Sequence, residues 1–264
     1  MNKNIFMVLI VCITLISSPF IQANSSTVES NEKFSAEDLS AFAKKIEKTL
    51  AGKGARVFII GRMGRPANEM PEGIKFTHTA LAVYSMLETD DGAVVPGYTI
   101  YNLYQRNEEP HISDLIKDYP VDFFSSAQEL RAGIVIPSAG LQERLIKTIN
   151  SDIYKQLHEP KYSAIASPYT LEYQNCTEHT LDVINAAIYQ TDDIDQIKVN
   201  TTAYFKAQPV NVSGFKLALG SIFMSDVSIS DHTGTVETAT FTTIGNYLEK
   251  YGLTQERFEI TWKQ

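Results

Sequence analysis

Two cysteines occur in the 264 residues, Cys12 inside an N-terminal apolar run and Cys176 in the stretch Tyr173-Gln174-Asn175-Cys176-Thr177-Glu178-His179. Asn175 has the side chain of a helix N-cap, able to accept from an early free backbone N–H. From residue 176 to about 189 the spacing predicts a helix. Cys176, Thr180, Val183, Ile184, Ala187 and Ile188 share one side of it, and Glu178, Asp182 and Asn185 the other. Cys176 then falls in the first turn, where unpaired N–H groups and the positive end of the helix dipole favour thiolate. A nucleophilic thiol with a pKa below the free value is the expectation. A free cysteine on an apolar helix face is equally the description of a small buried hydrophobe, so the chemistry turns on its partners.

A thiol nucleophile needs a base, usually histidine, and a third polar group that fixes the base's tautomer. Of five histidines, His78 is the best placed, because it sits in the apolar run Thr77-His78-Thr79-Ala80-Leu81-Ala82-Val83-Tyr84, where a partnerless imidazole would be costly. Asn102, between Tyr101 and Leu103 in a neighbouring run, offers an amide oxygen for that imidazole, and Gln105 is its rival. His179, three residues after Cys176, is expected at the edge of the apolar stripe, bordering the cleft or solvent. Together with Tyr162 and Gln174 it is a candidate substrate-binding residue. His111 and His158 are expected exposed, and Asp231-His232 is read as a loop feature. The sequence has no HExxH, CxxC, GxSxG or phosphate-loop pattern, so no metal or cofactor is expected.

The elements that must position these residues are legible in part. Ser35-Ala36-Glu37-Asp38 opens a helix ending at Gly52 and Gly54. Short strands are expected at 56–60, 76–84, 98–104 and 132–136, the second and third as an antiparallel pair joined by about a dozen residues. Polar and helical pieces fill 111–128, and a single helix is expected from 138 to 157. Later come a partly helical segment at 192–207, an apolar segment at 215–224, strands at 227–229 and 235–241, a helix at 242–251 and a closing strand at 258–262. The reading is one α+β domain with a C-terminal elaboration.

Residues 1–23 carry Lys3, an apolar run and a small-residue end at Ala23, the form of a secretory signal peptide. Residues 24–34 read as a flexible leader, and 35–264 as the folded domain. Removal of 1–23 leaves 22 basic against 31 acidic residues, a net charge of −9 with histidine neutral. This argues against a general nucleic-acid or anionic-membrane binder. One remaining cysteine cannot form a disulfide within the chain. The expected setting is outside the bacterial cytoplasm, in the periplasm or beyond, with no stable membrane span after processing.

The strand with THTALAVY, the strand with TIYNLYQ and the helix opening with QNCTEH resemble the permuted papain-like fold, which includes the lecithin retinol acyltransferase-like proteins. In that group a histidine begins an H-x-x-I-x-V strand, a polar residue lies in the next strand and the nucleophile opens a later helix. The matching positions are His78, Asn102 and Cys176. His179 lies one place later than the group's helix histidine. The resemblance implies an antiparallel or mixed sheet packed on the helix that begins at the cysteine. It further implies a thiol hydrolase or acyl transferase acting on an amide or ester of the cell envelope, peptidoglycan peptide ahead of lipid. The alternative is a non-catalytic envelope protein that uses the same cleft to bind a peptide or lipid. Residues 35–262 are also similar to an uncharacterised family of exported bacterial proteins, a domain of unknown function, through THTALAV, YNLYQ and YSAIASPYTLEYQNC.

Overall fold

The computed structural model of the protein describes residues 33–65, 72–89, 91–211, 213 and 227–262. The expected signal peptide (1–23), most of the expected leader and the apolar segment at 215–224 lie outside them. The described chain is α+β, with seven helices and a six-stranded antiparallel sheet.

Helix α1 (Ala36–Gly52) begins where Ser35 accepts from the Asp38 backbone N–H, as its sequence requires. Strand β1 (Val57–Met63) follows, then β2 (His78–Glu88), β3 (Val94–Gln105), β4 (Ser113–Asp118), α2 (Pro120–Phe124) and β5 (Glu129–Pro137). Helices α3 (Ala139–Ile149), α4 (Ile153–Gln156), α5 (Cys176–Tyr189) and α6 (Ile194–Tyr204) come next. Strands β6 (Gln208–Pro209) and β7 (Glu237–Thr238), helix α7 (Phe241–Lys250) and strand β8 (Thr254–Thr261) complete it. The large sheet runs β4-β3-β2-β1-β5-β8, and β6 pairs with β7 apart from it.

Both faces of the sheet are covered, so its central strands are apolar on both sides rather than alternating. Phe58, Ile60, Ala80, Ala82 and Ile100 face α1 and α2, packing on Phe42, Ile46, Phe123 and Phe124. Val57, Ile59, Leu81, Val83 and Val135 face the opposite layer of α3, α5, α6 and α7. Gly61 pairs with Gly133 at the sheet centre. A side chain at either would run into the edge-to-face pair Phe76 and Phe241, the nearest atom of each ring at 3.0 Å or less. That flat spot lets the start of α7 lie against the sheet.

Several expected boundaries move. β1 runs on through Gly61-Arg62-Met63, past the expected end at residue 60. The β2–β3 hairpin is tighter than a dozen residues, since Glu88 pairs with Val94. The expected helix over 138–157 breaks at Asn150-Ser151, whose backbone bonds close α3 before α4 begins. Residues 227–229 are not a strand. The polar stretch at 113–118 is strand β4, an edge strand whose Leu115 and Ile116 are half-buried among charged neighbours.

Candidate functional site

The site begins with a defect in the sheet. β1 and β2 remain paired to Arg62 and His78, and β3 and β4 to Gln105 and Ser113, but the β2–β3 ladder ends at Leu81 and Tyr101. The two middle strands part beyond that pair. In a continued ladder the Thr79 N–H would turn towards Leu103; here it lies close enough to the sulfur of Cys176 to favour the thiolate. The first turn of α5 thus brings the thiol to the gap one residue from His78. Asn175 caps that helix by accepting from the N–H groups of Thr177 (3.0 Å) and Glu178 (2.9 Å). The Thr177 hydroxyl lies 3.7 Å from the sulfur.

Across the gap runs a chain of hydrogen bonds. His78 Nε2 is 3.0 Å from Asn102 Oδ1, Asn102 Nδ2 donates to Asp118 Oδ1 at 2.6 Å, and Tyr104 donates its hydroxyl proton to Asp118 Oδ2 at 2.8 Å. With Asp118 ionised, this order sets the histidine tautomer. Because the Asn102 amino group is spent on a carboxylate, its oxygen must face the ring. An amide oxygen only accepts, so Nε2 carries the proton and Nδ1 keeps its lone pair. The ring is held flat against Tyr104, with centroids 4.8 Å apart and planes 11° apart, and Phe123 lies 5.5 Å away. Gln105, the rival orienter, gives its amide to the Pro110 carbonyl instead.

Arg62 lies opposite His78 in the β1–β2 ladder and is almost wholly buried. It donates to the Phe123 carbonyl at 2.6 Å and to Ser126 Oγ, and its guanidinium is 5.2 Å from the Phe123 ring. Burial and this cation drive the His78 pKa down to about 3, against the pull of Asn102. Burial raises the Cys176 thiol above its ordinary value, although the Thr79 N–H, the Thr177 hydroxyl and Arg62 all act to lower it. The thiol and the imidazole are therefore both neutral at rest, and the thiol pKa moves opposite to the expectation from the helix terminus alone. Burial also pushes Asp118 up to about 7, opposed first by the Tyr104 hydroxyl and then by Arg62.

The other expected residues serve elsewhere. Gln174 is buried and spends its amide on the Leu157 carbonyl (2.9 Å), Asp182 (3.0 Å) and the Glu159 N–H (3.1 Å). His179 is buried rather than bordering solvent, and its Nε2–H donates to the Tyr154 carbonyl at 3.2 Å. Tyr162 bridges to Gln174 in the segment leading to the helix. His158, expected exposed, is half-buried, with Nε2 3.0 Å from the Ser113 hydroxyl. Asp231 and His232, in a loop as expected, turn their side chains towards each other, with Asp231 Oδ1 and His232 Nε2 3.3 Å apart. Glu178, Asp182 and Asn185, assigned to an outer face, are all buried. Lys198 of α6 reaches Glu178 at 2.7 Å and Asp182 at 2.9 Å, which makes that burial tolerable.

Sequence reasoning missed Arg62, Tyr104 and Asp118. Period-two continuation of β1 past Gly61 would have put Arg62 on the same face as Phe58 and Ile60. Nothing local marks Asp118, which lies in a polar stretch and matters only through pairing with β3. Among the described residues no group of three or more histidines, cysteines or acids could hold a metal ion, and no helix is long and apolar enough to cross a membrane.

Fold and site together define an α+β protein in which a sheet histidine, an amide and a carboxylate are strung beside a cysteine at a helix N-terminus. The chain belongs to DUF2145, a family of uncharacterised proteins conserved in bacteria, whose model matches residues 49–248. No curated protein and no solved structure is detectably similar to it.

Proposed function

We propose that the protein is an exported thiol-dependent hydrolase or acyl transferase with a permuted papain-like arrangement, acting on an amide or ester of the cell envelope. The observation that carries this reading is the Asp118-Asn102-His78 chain, which leaves the Nδ1 lone pair of His78 available beside a helix-terminal cysteine. In this reading the Cys176 proton passes to Nδ1 as the sulfur bonds to the substrate carbonyl carbon and the carbonyl electrons move to oxygen. The first N–H groups of a helix have no intrahelical partner, and Asn175 takes those of Thr177 and Glu178. The N–H of Cys176 itself is then the candidate donor to the oxyanion. Collapse breaks the bond to the leaving nitrogen or oxygen, which takes the proton from His78. Water, deprotonated by Nδ1, or an acyl acceptor then cleaves the thioester.

A neutral resting pair suits general-base attack rather than a preformed ion pair. Peptide amides of peptidoglycan are favoured over lipid esters by the export signal and by the acidic, polar character of the chain. The test is acylation of the folded protein by p-nitrophenyl acetate, read by mass spectrometry of its peptides. An acetyl group is expected on Cys176, and its formation should collapse in His78→Ala. Release of peptide fragments from purified peptidoglycan by the native protein, but not by Cys176→Ala, would then fix the amide class.

One observation favours a second reading, a non-catalytic binding protein. Cys176 is only 5% exposed, and its thiol is held protonated. If the folded protein gives no thioester with the ester while the denatured chain alkylates at Cys176 normally, this second reading stands and the first falls.

A further inference from the structure

A cleft of about 360 Å³ lies between the segment around Ser167 and the loop that enters β7. Its walls include Ser167, Tyr169, Thr170, Asp231, Thr233 and Glu237, with no lysine or arginine among them and no contribution from Cys176. The volume is at the small end of the roughly 300–1,000 Å³ of clefts that hold organic ligands, and larger than a bare ion needs.

Asp231 forms the buried wall. Its side chain has no exposed surface. Oδ2 accepts from the Ser167 N–H at 2.8 Å, whereas Oδ1 has no hydrogen-bond partner among the described residues. The His232 Nε2–H is 3.3 Å from Oδ1 but is given to the Ile165 carbonyl at 3.0 Å, while Nδ1 faces the Glu237 N–H at 3.5 Å. Thr170 Oγ1, on the same walls, is buried and likewise unpartnered. The Tyr169 hydroxyl accepts from the Ala207 N–H at 3.1 Å, and the Glu237 charge helps hold its pKa above the ordinary value, after burial. Buried polar atoms normally have partners, and an orphaned carboxylate oxygen in a cleft is a place where a donor belongs.

A group that would satisfy these acceptors is small, cationic and rich in N–H. An ammonium has three donors and no acceptor, which suits the acceptors Asp231 Oδ1, Thr170 Oγ1 and the Glu237 carboxylate on walls without lysine or arginine, His232 being the one other basic group there. We propose that this cleft binds a primary ammonium group carried by a small organic ligand, with Asp231 Oδ1 as its charge partner. A peptide's free amino terminus and an amino sugar are two sources of that group. The cleft is tied to the nucleophile's helix, because Thr238 donates to the Ala166 carbonyl at 3.0 Å and accepts from the Asn175 side chain at 3.2 Å. Binding does not depend on thiol chemistry and persists whether or not Cys176 reacts.

Calorimetric titration of the protein, with Cys176→Ala used throughout to prevent turnover, tests this with trialanine, N-acetyl-trialanine, glucosamine and calcium chloride. At least tenfold weaker binding of the acetylated peptide than of trialanine is expected, with a similar loss in Asp231→Asn. That substitution keeps an oxygen for the Ser167 N–H and replaces the free Oδ1 with a donor. Binding of trialanine with no glucosamine heat supports the site and assigns the group to a peptide terminus; glucosamine binding that Asp231→Asn abolishes supports it and assigns a free amine. Equal affinity for the two peptides with no glucosamine heat, heat from calcium alone, or no heat from any of the four overturns it. If Asp231→Asn fails to fold, comparison of trialanine with its acetylated form still decides. This result stands apart from the acylation experiment, which reports on Cys176 alone.

Discussion

At the scale of the residue, the thiol of Cys176 sits under two opposed influences, and burial outweighs the other. The Thr79 N–H, the Thr177 hydroxyl and Arg62 all favour the anion, but desolvation of the sulfur exceeds them. Alkylation of the folded protein by iodoacetamide should therefore be slower at pH 7 than that of a free cysteine, and the rate should still be climbing above pH 9. A plateau at neutral pH would instead mark a stabilised thiolate. His78 adds a second expectation. As general base it supplies on the order of 10²–10⁴ in rate, so His78→Ala should lower Cys176 acylation by about that factor. Asn102→Ala should lower it less, because the base remains while its tautomer is released. Asn102→Ala should also destabilise the fold by ~1–3 kcal/mol, since it leaves the buried His78 Nε2–H and an Asp118 oxygen without partners. A urea titration measures that cost; a change below about 0.5 kcal/mol would show that water or another side chain takes over the bonds.

At the scale of the element, α5 is the best instance of what a sequence does and does not carry. Its limits, Cys176 to Tyr189, follow from the Asn175 cap and the apolar spacing, both local signals. The burial of its polar face does not, because what covers Glu178 and Asp182 is Lys198, on a helix that local pattern only marks as partly helical. Likewise His78 and Asn102 stand out as polar residues in apolar strands, whereas Asp118 is one acid in a polar run until β4 pairs with β3. Contacts made by long-range pairing leave no periodic trace in the partner that is itself polar. The Lys198 cluster is testable at this scale. Lys198→Met strands two buried carboxyls, and loss of one partner of a buried ion pair costs ~3–5 kcal/mol. Denaturant unfolding should show a loss of that order. A loss below about 1 kcal/mol would mean that both carboxyls are protonated in the native protein and need no cation.

For the whole molecule, the two helix layers bury titratable groups on both sides of the sheet, and these act on stability in opposite directions. His78 and His179 are each held to a pKa of about 3, with burial the main cause. An unfolded histidine takes up a proton near pH 6.5 that the folded one refuses until about pH 3. Each therefore contributes stability that is complete above pH 6.5 and is lost as the pH falls towards 3. Asp118, raised to about 7 from an ordinary 3.8, works the other way. The fold holds a proton there that the unfolded chain has released, so stability falls as pH rises from about 3.8 to about 7. The wild-type curve is a sum of both effects, and the informative quantity is a difference between two proteins. His179→Gln keeps a donor for the Tyr154 carbonyl and removes the titrating group, and His179 is not a member of the Asp118 hydrogen-bond chain. Measured by urea unfolding at pH 7 and at pH 4.5, the variant should lose less stability than the wild type across that interval. The difference should approach about 1.4 kcal/mol per pH unit below 6.5. Parallel losses in the two proteins would show that the folded ring takes up its proton near the ordinary histidine pH, so that its burial does not hold its pKa down.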